Sequence, residues 1–294
     1  LLDENLQQSH SRSMTETTQS PLPQTAPTVK AQKSENAHFF QFMVKLALFV
    51  LILRSFIFAP FNIPSESMLS RLMIGDYLIV AKWSYGYSKY SLPFSIPLIP
   101  GRILAREPER GDVVVFKAPP GNHTDYIKRV IGLPGDLIQV KGGQIILNGT
   151  PIPRERVADF VEPLTLNSAC AKSDVAKFRE TASDGTVRCR YPRYRETLPG
   201  GRSYDVLDLD TSWADDTTVY AVPKGHLFAM GDNRDRSADS RFPAVEGQGI
   251  GIVPQENLVG RALFTVFSTD GTSSWIKPWT WFSAARWSRI GEGF

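Results

Sequence analysis

The sequence predicts a mainly β protein, with coiled antiparallel sheets or a partly closed, barrel-like β domain. One N-terminal transmembrane helix precedes it, and a smaller cap is inserted within it. Three observations carry this expectation. The stretch Phe39 to Phe61 is apolar enough, and long enough, to span ~30 Å of hydrocarbon. From Asp76 onward, short runs rich in β-branched and aromatic residues alternate with Gly- and Pro-containing turns. From Arg154 to Asp216 a polar, charged block interrupts that rhythm, and it holds both cysteines, Cys170 and Cys189.

Residues 1–38 are rich in Ser, Thr, Gln and Pro without hydrophobic periodicity, the composition of a disordered tail. The chain opens on Leu1, and Met14 is the alternative natural start. Asp3, Glu4, Glu16 and Glu35 argue against a transit peptide. Residues 39–60 form the expected anchor. Its core, Leu46 to Leu53, is flanked by Lys45 and Arg54, which can snorkel toward opposite interfaces. The competing readings are a buried core helix, an interfacial helix and a cleaved signal peptide. The last fits poorly, because the preceding region is too long and Phe56-Ile57-Phe58-Ala59 lacks a small residue at −3. Lys30, Lys33 and Lys45 precede the span, and after Arg54 the next basic residue is Arg71. That bias places the N-terminus in the cytoplasm and the rest outside.

Residues 61–153 and 217–270 form the expected β domain. Its candidate strands are Tyr77 to Ala81, Val113 to Phe116, Leu137 to Val140, Gln144 to Leu147, Thr218 to Val222, His226 to Met230 and Ala262 to Phe267. Gly142-Gly143 and Asn148-Gly149 are hairpin-type turn pairs. Residues 154–216 are the expected cap, with a minor sheet of their own. Residues 271–294 interleave Trp275, Trp279, Trp281 and Trp287 with Lys277, Arg286 and Arg289, a composition favoured at lipid headgroups. A second apolar patch, Phe94 to Ile99, is expected to be exposed.

The net charge of +3, without a long Lys/Arg run, argues against a nucleic-acid partner. The four histidines, His10, His38, His123 and His226, are scattered, and the cysteines lack zinc-type spacing. No metal or cofactor is expected. Cys170 and Cys189 form a disulfide if this part of the chain is exported, and stay free thiols if it is cytosolic.

The candidate chemistry begins at Pro64-Ser65-Glu66-Ser67-Met68, just past the apolar stretch. A serine hydroxyl needs a base to become a nucleophile, and no histidine is suitably placed. In Tyr126-Ile127-Lys128-Arg129-Val130-Ile131, period-two alternation puts Lys128 on the apolar face of Tyr126 and Val130. A lysine can act as base near neutral pH only if its pKa falls by ~3 units, roughly 4 kcal/mol, which desolvation can supply. On pattern alone, however, a lone lysine in a strand is usually a solvated edge residue, and the Ser67–Lys128 spacing is no motif.

Three longer stretches decide the matter. Pro64-Ser65-Glu66-Ser67-Met68 is followed by Gly75-Asp76, and Asp125-Tyr126-Ile127-Lys128-Arg129 by Gly132-Leu133-Pro134-Gly135-Asp136. Gly231-Asp232-Asn233-Arg234-Asp235 is followed by Ser237-Ala238-Asp239-Ser240-Arg241. In this order, after an anchor, they resemble the signature boxes of bacterial signal peptidase I. The resemblance runs over residues 61–82, 111–149 and 219–267. It implies a membrane-bound Ser/Lys serine protease that removes signal peptides from exported preproteins, cleaving after small residues at −1 and −3. By that resemblance Ser67 is the nucleophile and Lys128 the general base. Ser65 supplies a hydroxyl that helps the Ser67 N–H hold the oxyanion, and Ser237 orients the lysine. Arg129, Asp232, Asp239 and Arg241 brace the site as ion pairs with unassigned partners. Phe61, Ile63, Pro64, Met68, Leu72, Leu78, Val115, Tyr126 and Ile127 line two shallow pockets.

The same resemblance implies a monomer at the bacterial inner membrane, its catalytic domain on the periplasmic face, with preproteins and the lipid bilayer as partners. The sequence departs from the family pattern at Glu66, where Gly is frequent, and at Ser70-Arg71, which replaces Pro-Thr; it also shows one anchor where some members have two. Two other classes compete. An inactive membrane-anchored β domain that binds a partner protein is disfavoured by the intact Ser67, Lys128 and Ser237. A self-cleaving Ser/Lys regulator is disfavoured by the anchor.

Overall fold

In a computed structural model of the chain, which describes residues 29–274 and 276–294, the apolar and alternating stretches take the two forms their periodicity dictates. The first 28 residues of the expected tail, and Trp275, lie outside the described residues. The chain divides after Leu48 into two units. A helix runs over Val29–Ile52, so it starts well ahead of Phe39, and Leu53–Ile57 continues it as a wider π-type turn. Glu35–Ile57 spans 23 residues with a mean hydropathy of 1.9, long and apolar enough to cross a membrane. The large side chains from Phe39 to Ile52 are exposed, whereas a soluble core helix would bury them. The expected anchor ended at Pro60, but Phe58–Asn62 is already a strand. It sits at a sheet edge, where a proline's missing N–H is tolerated.

The main sheet is a curled antiparallel half-barrel of seven strands. Their order is Phe58–Asn62, Asp76–Ala81, Leu258–Ser268, Val113–Lys117, Asp125–Gly132, His226–Met230 and Val253–Pro254. Register shifts along Leu258–Ser268 and between Phe228 and Ala229 supply the curl, since each bulge bends and twists its strand. At Gly260 an added Cβ would lie 2.4 Å from the Ala81 carbonyl oxygen, so only glycine lets these strands approach. Both faces of the sheet are covered. Val113 and Val115 pack with Leu78 and Val80 on one side, and Val114 and Phe116 with Val130 and Leu227 on the other. That is why Val113 to Phe116 is continuously apolar rather than alternating.

A four-stranded sheet of Tyr220–Ala221, Leu137–Lys141, Gln144–Leu147 and Thr150–Pro151 extends the domain. Its two hairpins turn at Gly142-Gly143 and Asn148-Gly149, all four residues at positive φ, as type I′ turns require. The polar block folds as another four-stranded sheet, built from Arg154–Pro163, Val187–Thr197, Arg179–Thr181 and Ser203–Leu207. Cys170 and Cys189 are bridged, with Cα atoms 5.9 Å apart. They are buried with Val175, Tyr191 and Leu207, and with Leu69 and Met73 from the loop after the first strand. The cap therefore rests directly on that loop.

Residues 271–294 return to the main body. Arg289 pairs with buried Asp76 at 2.7 Å, and Arg286 donates to the carbonyls of Ile74 and Thr269. On the same segment Ile276, Trp279, Phe282 and Trp287 stay exposed. Phe94 and Leu98 of the second apolar patch are also exposed.

Candidate active site

The Ser67 loop is shaped by its two ends. The Ile63 N–H donates to Asp76 O, and the Gly75 N–H returns to Ile63 O at 2.9 Å. Gly75 has φ +91, a conformation that a side chain disfavours. The Asp76 carboxylate then accepts from Met73 N, Ser268 Oγ and Arg289, which locks the loop's base. Between these ends Met68, Leu69 and Leu72 are buried, so the turn holding Ser65 and Ser67 is carried on an apolar plug.

The lysine strand is Asp125–Gly132. It ends in the turn Leu133-Pro134-Gly135-Asp136, where Asp136 accepts the Leu133 N–H and pairs with Arg110 at 2.7 Å. Lys128 lies opposite Val114, and Val114 shares one apolar cluster with Tyr126 and Val130, the neighbours of Lys128 on the same face. Arg129 points to the other face.

Lys128 Nζ lies 2.7 Å from Ser67 Oγ and donates to Ile127 O at 3.0 Å. Both side chains are buried, Ser67 at 7% exposure and Lys128 at 3%. Burial lowers the lysine pKa to about 8, even though the carboxylates of Asp239 and Asp232 pull it back up. Desolvation therefore wins, and much of the lysine is neutral only slightly above neutral pH. The Ser67 N–H donates to no acceptor among the described residues, and Ser65 Oγ is 3.5 Å from Ser67 Oγ.

The third stretch ties the site together. Arg129 grips Asp232 with two bonds of 2.8 and 2.7 Å, and Arg241 grips Asp239 with two of 2.9 and 3.0 Å. Burial raises the Asp239 pKa, but Arg241 and the N–H groups of Gly231 and Arg241 outweigh that and hold it below the usual carboxylate value. These are the partners that the sequence left unassigned. Asn233 clamps the Ser67 turn twice, its N–H to Ser67 O at 3.1 Å and its Nδ2 to Glu66 O at 3.2 Å. Arg234 makes a further buried bidentate pair, to Glu196 of the cap at 2.8 and 2.6 Å. Sequence reasoning assigned roles to neither Asn233 nor Arg234. The only signal was their place inside a long polar box that nonetheless had to be buried.

Ser237 is buried at the same site, but its Oγ makes no hydrogen bond among the described residues. It packs on Gly231, where an added Cβ would fall 2.2 Å from Ser237 Oγ and 2.5 Å from Ser67 O. In this structure the lysine is held by Ile127 O and Ser67, not by Ser237. Of the nine expected pocket residues, Phe61, Ile63, Pro64, Val115, Tyr126 and Ile127 line a cleft of about 300 Å³ beside Ser65, Ser67 and Lys128. Met68, Leu72 and Leu78 do not reach it. They are fully buried and pack against the cleft residues Ile63 and Val115 from below. Their apolar character serves the plug, and a sequence cannot separate a lining residue from the layer under it. The cleft gains Asn62, Thr124, Asp125, Arg236 and Ala238 instead. Glu66, in the middle of the turn, faces Lys172 of the cap at 3.7 Å.

A buried hydroxyl, a neutralisable amine beside it and a free N–H together suit acyl transfer to a serine. The chain is also similar to known proteins. The family model described as "Signal peptidase, peptidase S26" matches residues 36–267. The chain is 39% identical over 285 residues to a signal peptidase I of Rickettsia typhi, covering 90% of this chain and 94% of that protein. It is 40% identical over 237 residues to that of Rickettsia akari, covering 78% and 77%. Among solved structures, a signal peptidase I from Enterococcus faecalis is 26% identical, is matched over 53% of this chain and 97% of its own, and has a TM-score of 0.27.

Proposed function

The chain belongs to the signal peptidase, peptidase S26, family, and from that premise we propose that Ser67 is its nucleophile and Lys128 its general base. Enzymes of this family remove signal peptides from preproteins. The observation that carries the assignment is the 2.7 Å approach of Lys128 Nζ to Ser67 Oγ inside a desolvated site. Neutral Lys128 takes the hydroxyl proton as Ser67 Oγ attacks the scissile carbonyl carbon. The Ser67 N–H and the Ser65 hydroxyl hold the oxyanion, and removing one such donor typically costs ~10²–10³ in rate. Protonated Lys128 then gives its proton to the leaving amine. A water, deprotonated by the same lysine, hydrolyses the acyl-serine.

Small residues at −1 and −3 fit a cleft walled by Phe61, Ile63, Val115 and Ile127. Ser237 serves the lysine in a substrate-bound state, in which its unpaired hydroxyl gains a partner. The exposed aromatic residues of 276–287 and Phe94 to Leu98 rest on the outer leaflet of the inner membrane. Cleavage occurs there by a monomer whose bulk faces the periplasm, a compartment that suits the Cys170–Cys189 bridge.

The test is preprotein cleavage in detergent. Ser67→Ala and Lys128→Arg should both be inactive, since guanidinium does not lose its proton in this range. Wild-type activity should rise with pH through about 8. An active Lys128→Arg enzyme sinks the assignment.

A further inference from the structure

A second cavity, of about 690 Å³, opens on the opposite face of the lysine strand, where Arg129 points instead of Lys128. Arg71 and Arg261 reach it from the main body, and Arg193, Arg195 and Arg202 from the cap. Arg129 and Arg289 close it from behind, and Phe160, Tyr204 and Phe294 add aromatic wall. The carboxylates paired with these rear guanidinium groups, Asp232 and Asp76, are buried, and so is Asp112, which pairs with Arg202. They neutralise charge without presenting acceptors to the lumen. Asp205 and Glu292 are the two acids that line it.

The front arginines are under-supplied. Arg193 and Arg195 share Asp205, at 3.3 and 2.9 Å. Arg202 and Arg261 share Asp112, at 2.9 and 3.4 Å, although Arg202 also reaches Glu109 at the rim. The 3.4 Å contact of Arg261 is long for a charged hydrogen bond. Arg71 has no carboxylate partner among the described residues; it donates to Gly293 O and lies 5.7 Å from the Phe294 ring. Each guanidinium carries five N–H donors in a fixed fork. Several half-used forks converging on one cavity match the tetrahedral oxygens of phosphate, which arginine binds bidentately. The volume lies within the usual range for small-molecule sites and exceeds the need of a single simple ion.

We propose that this cavity binds a phosphate-bearing ligand carrying two or more negative charges. Ser70 and Arg71, the pair by which this chain departs from the family pattern beside its nucleophile, both line it. The same chemistry is offered by a free diphosphate-type anion and by the headgroup of an anionic phospholipid.

The experiment uses the full chain in neutral detergent and inorganic pyrophosphate as probe, followed by calorimetry at low salt. Saturable binding is expected, weakening at least tenfold between low and physiological salt and at least tenfold in Arg71→Ala/Arg261→Ala. Preprotein cleavage by that variant should match wild type, which shows that it folds. If it does not fold, Arg195→Gln, on the exposed rim, should weaken binding at least threefold. Added cardiolipin, whose headgroup carries two phosphates, that displaces pyrophosphate, where phosphatidylcholine does not, assigns the site to a lipid headgroup; failure to displace it assigns the site to a soluble anion. No saturable binding at low salt, or binding unchanged in a folded variant, overturns the proposal.

Discussion

Replacing Lys128 with methionine should abolish cleavage and yet stabilise the fold. Methionine keeps the linear stem and removes a buried amine. In the folded protein the amine's pKa drops from 10.5 to about 8, chiefly because burial penalises its charge. At ~1.4 kcal/mol per pH unit, that drop corresponds to ~3 kcal/mol. The sign follows from proton counting. Between pH 8 and 10.5 the unfolded chain holds this proton and the folded one does not, so stability from this group rises with pH. Above 10.5 both states are neutral and the penalty is absent. Below 8 both are charged and the penalty is complete. The substitution also loses the bonds to Ile127 O and Ser67 Oγ, about 1 kcal/mol each. Lys128→Met should therefore gain ~1 kcal/mol at pH 7, and that advantage should reverse as pH approaches 10.5. Urea unfolding in detergent, followed by tryptophan fluorescence at pH 7 and pH 10, measures both. A variant less stable than wild type at pH 7, or a gain identical at both pH values, would refute a desolvated, charge-penalised lysine.

In a preprotein with Ala at −1, changing that residue to Leu should cut processing at least a hundredfold, because the cleft is walled by Phe61, Ile63 and Ile127; equal cleavage of the two would remove the pocket assignment. Cys189→Ser should lower stability by ~3 kcal/mol without exchanging any catalytic group, given the 19-residue separation of the bridge; a reduced-versus-oxidised melting comparison of wild type should agree with it. In a fragment of residues 58–294, which keeps the whole first strand, Trp279→Ser/Phe282→Ser should weaken binding to lipid vesicles at least tenfold, since both side chains are exposed. Unchanged vesicle affinity would mean that the segment serves only its own domain.

Strands such as Asp76–Ala81, Val113–Lys117 and Gln144–Leu147, and both hairpin turns, were legible because they depend on neighbours one or two residues apart. Alternation placed Lys128 with Tyr126 and Val130; in the fold those two share an apolar cluster and Lys128 Nζ lies 5.5 Å from the Tyr126 ring centroid. The long-range pairings were not legible. Nothing local shows that Arg129 meets Asp232, or that Arg234 meets Glu196 across the cap. Met68, Leu72 and Leu78 were read with the cleft because lining and plug share one apolar alphabet. The edge position of Phe58–Asn62 was hidden for a similar reason: its phenylalanines continue the hydropathy of the helix, and only pairing with Asp76–Ala81 distinguishes them.

The strand Leu258–Ser268 sits in the middle of the main sheet, with Arg261 opposite Ala81 on one side and Val114 on the other. The Ser67 loop hangs from the first of these neighbours and Lys128 from the far side of the second. Until that late strand arrives, two short early sheets stand apart with open edges. Nucleophile and base then have no ladder to bring them into register. Cleavage activity is therefore expected only once Leu258–Ser268 has docked between them. Closing contacts over so long a loop is slow, so the interval between completing the chain and acquiring activity should be measurable.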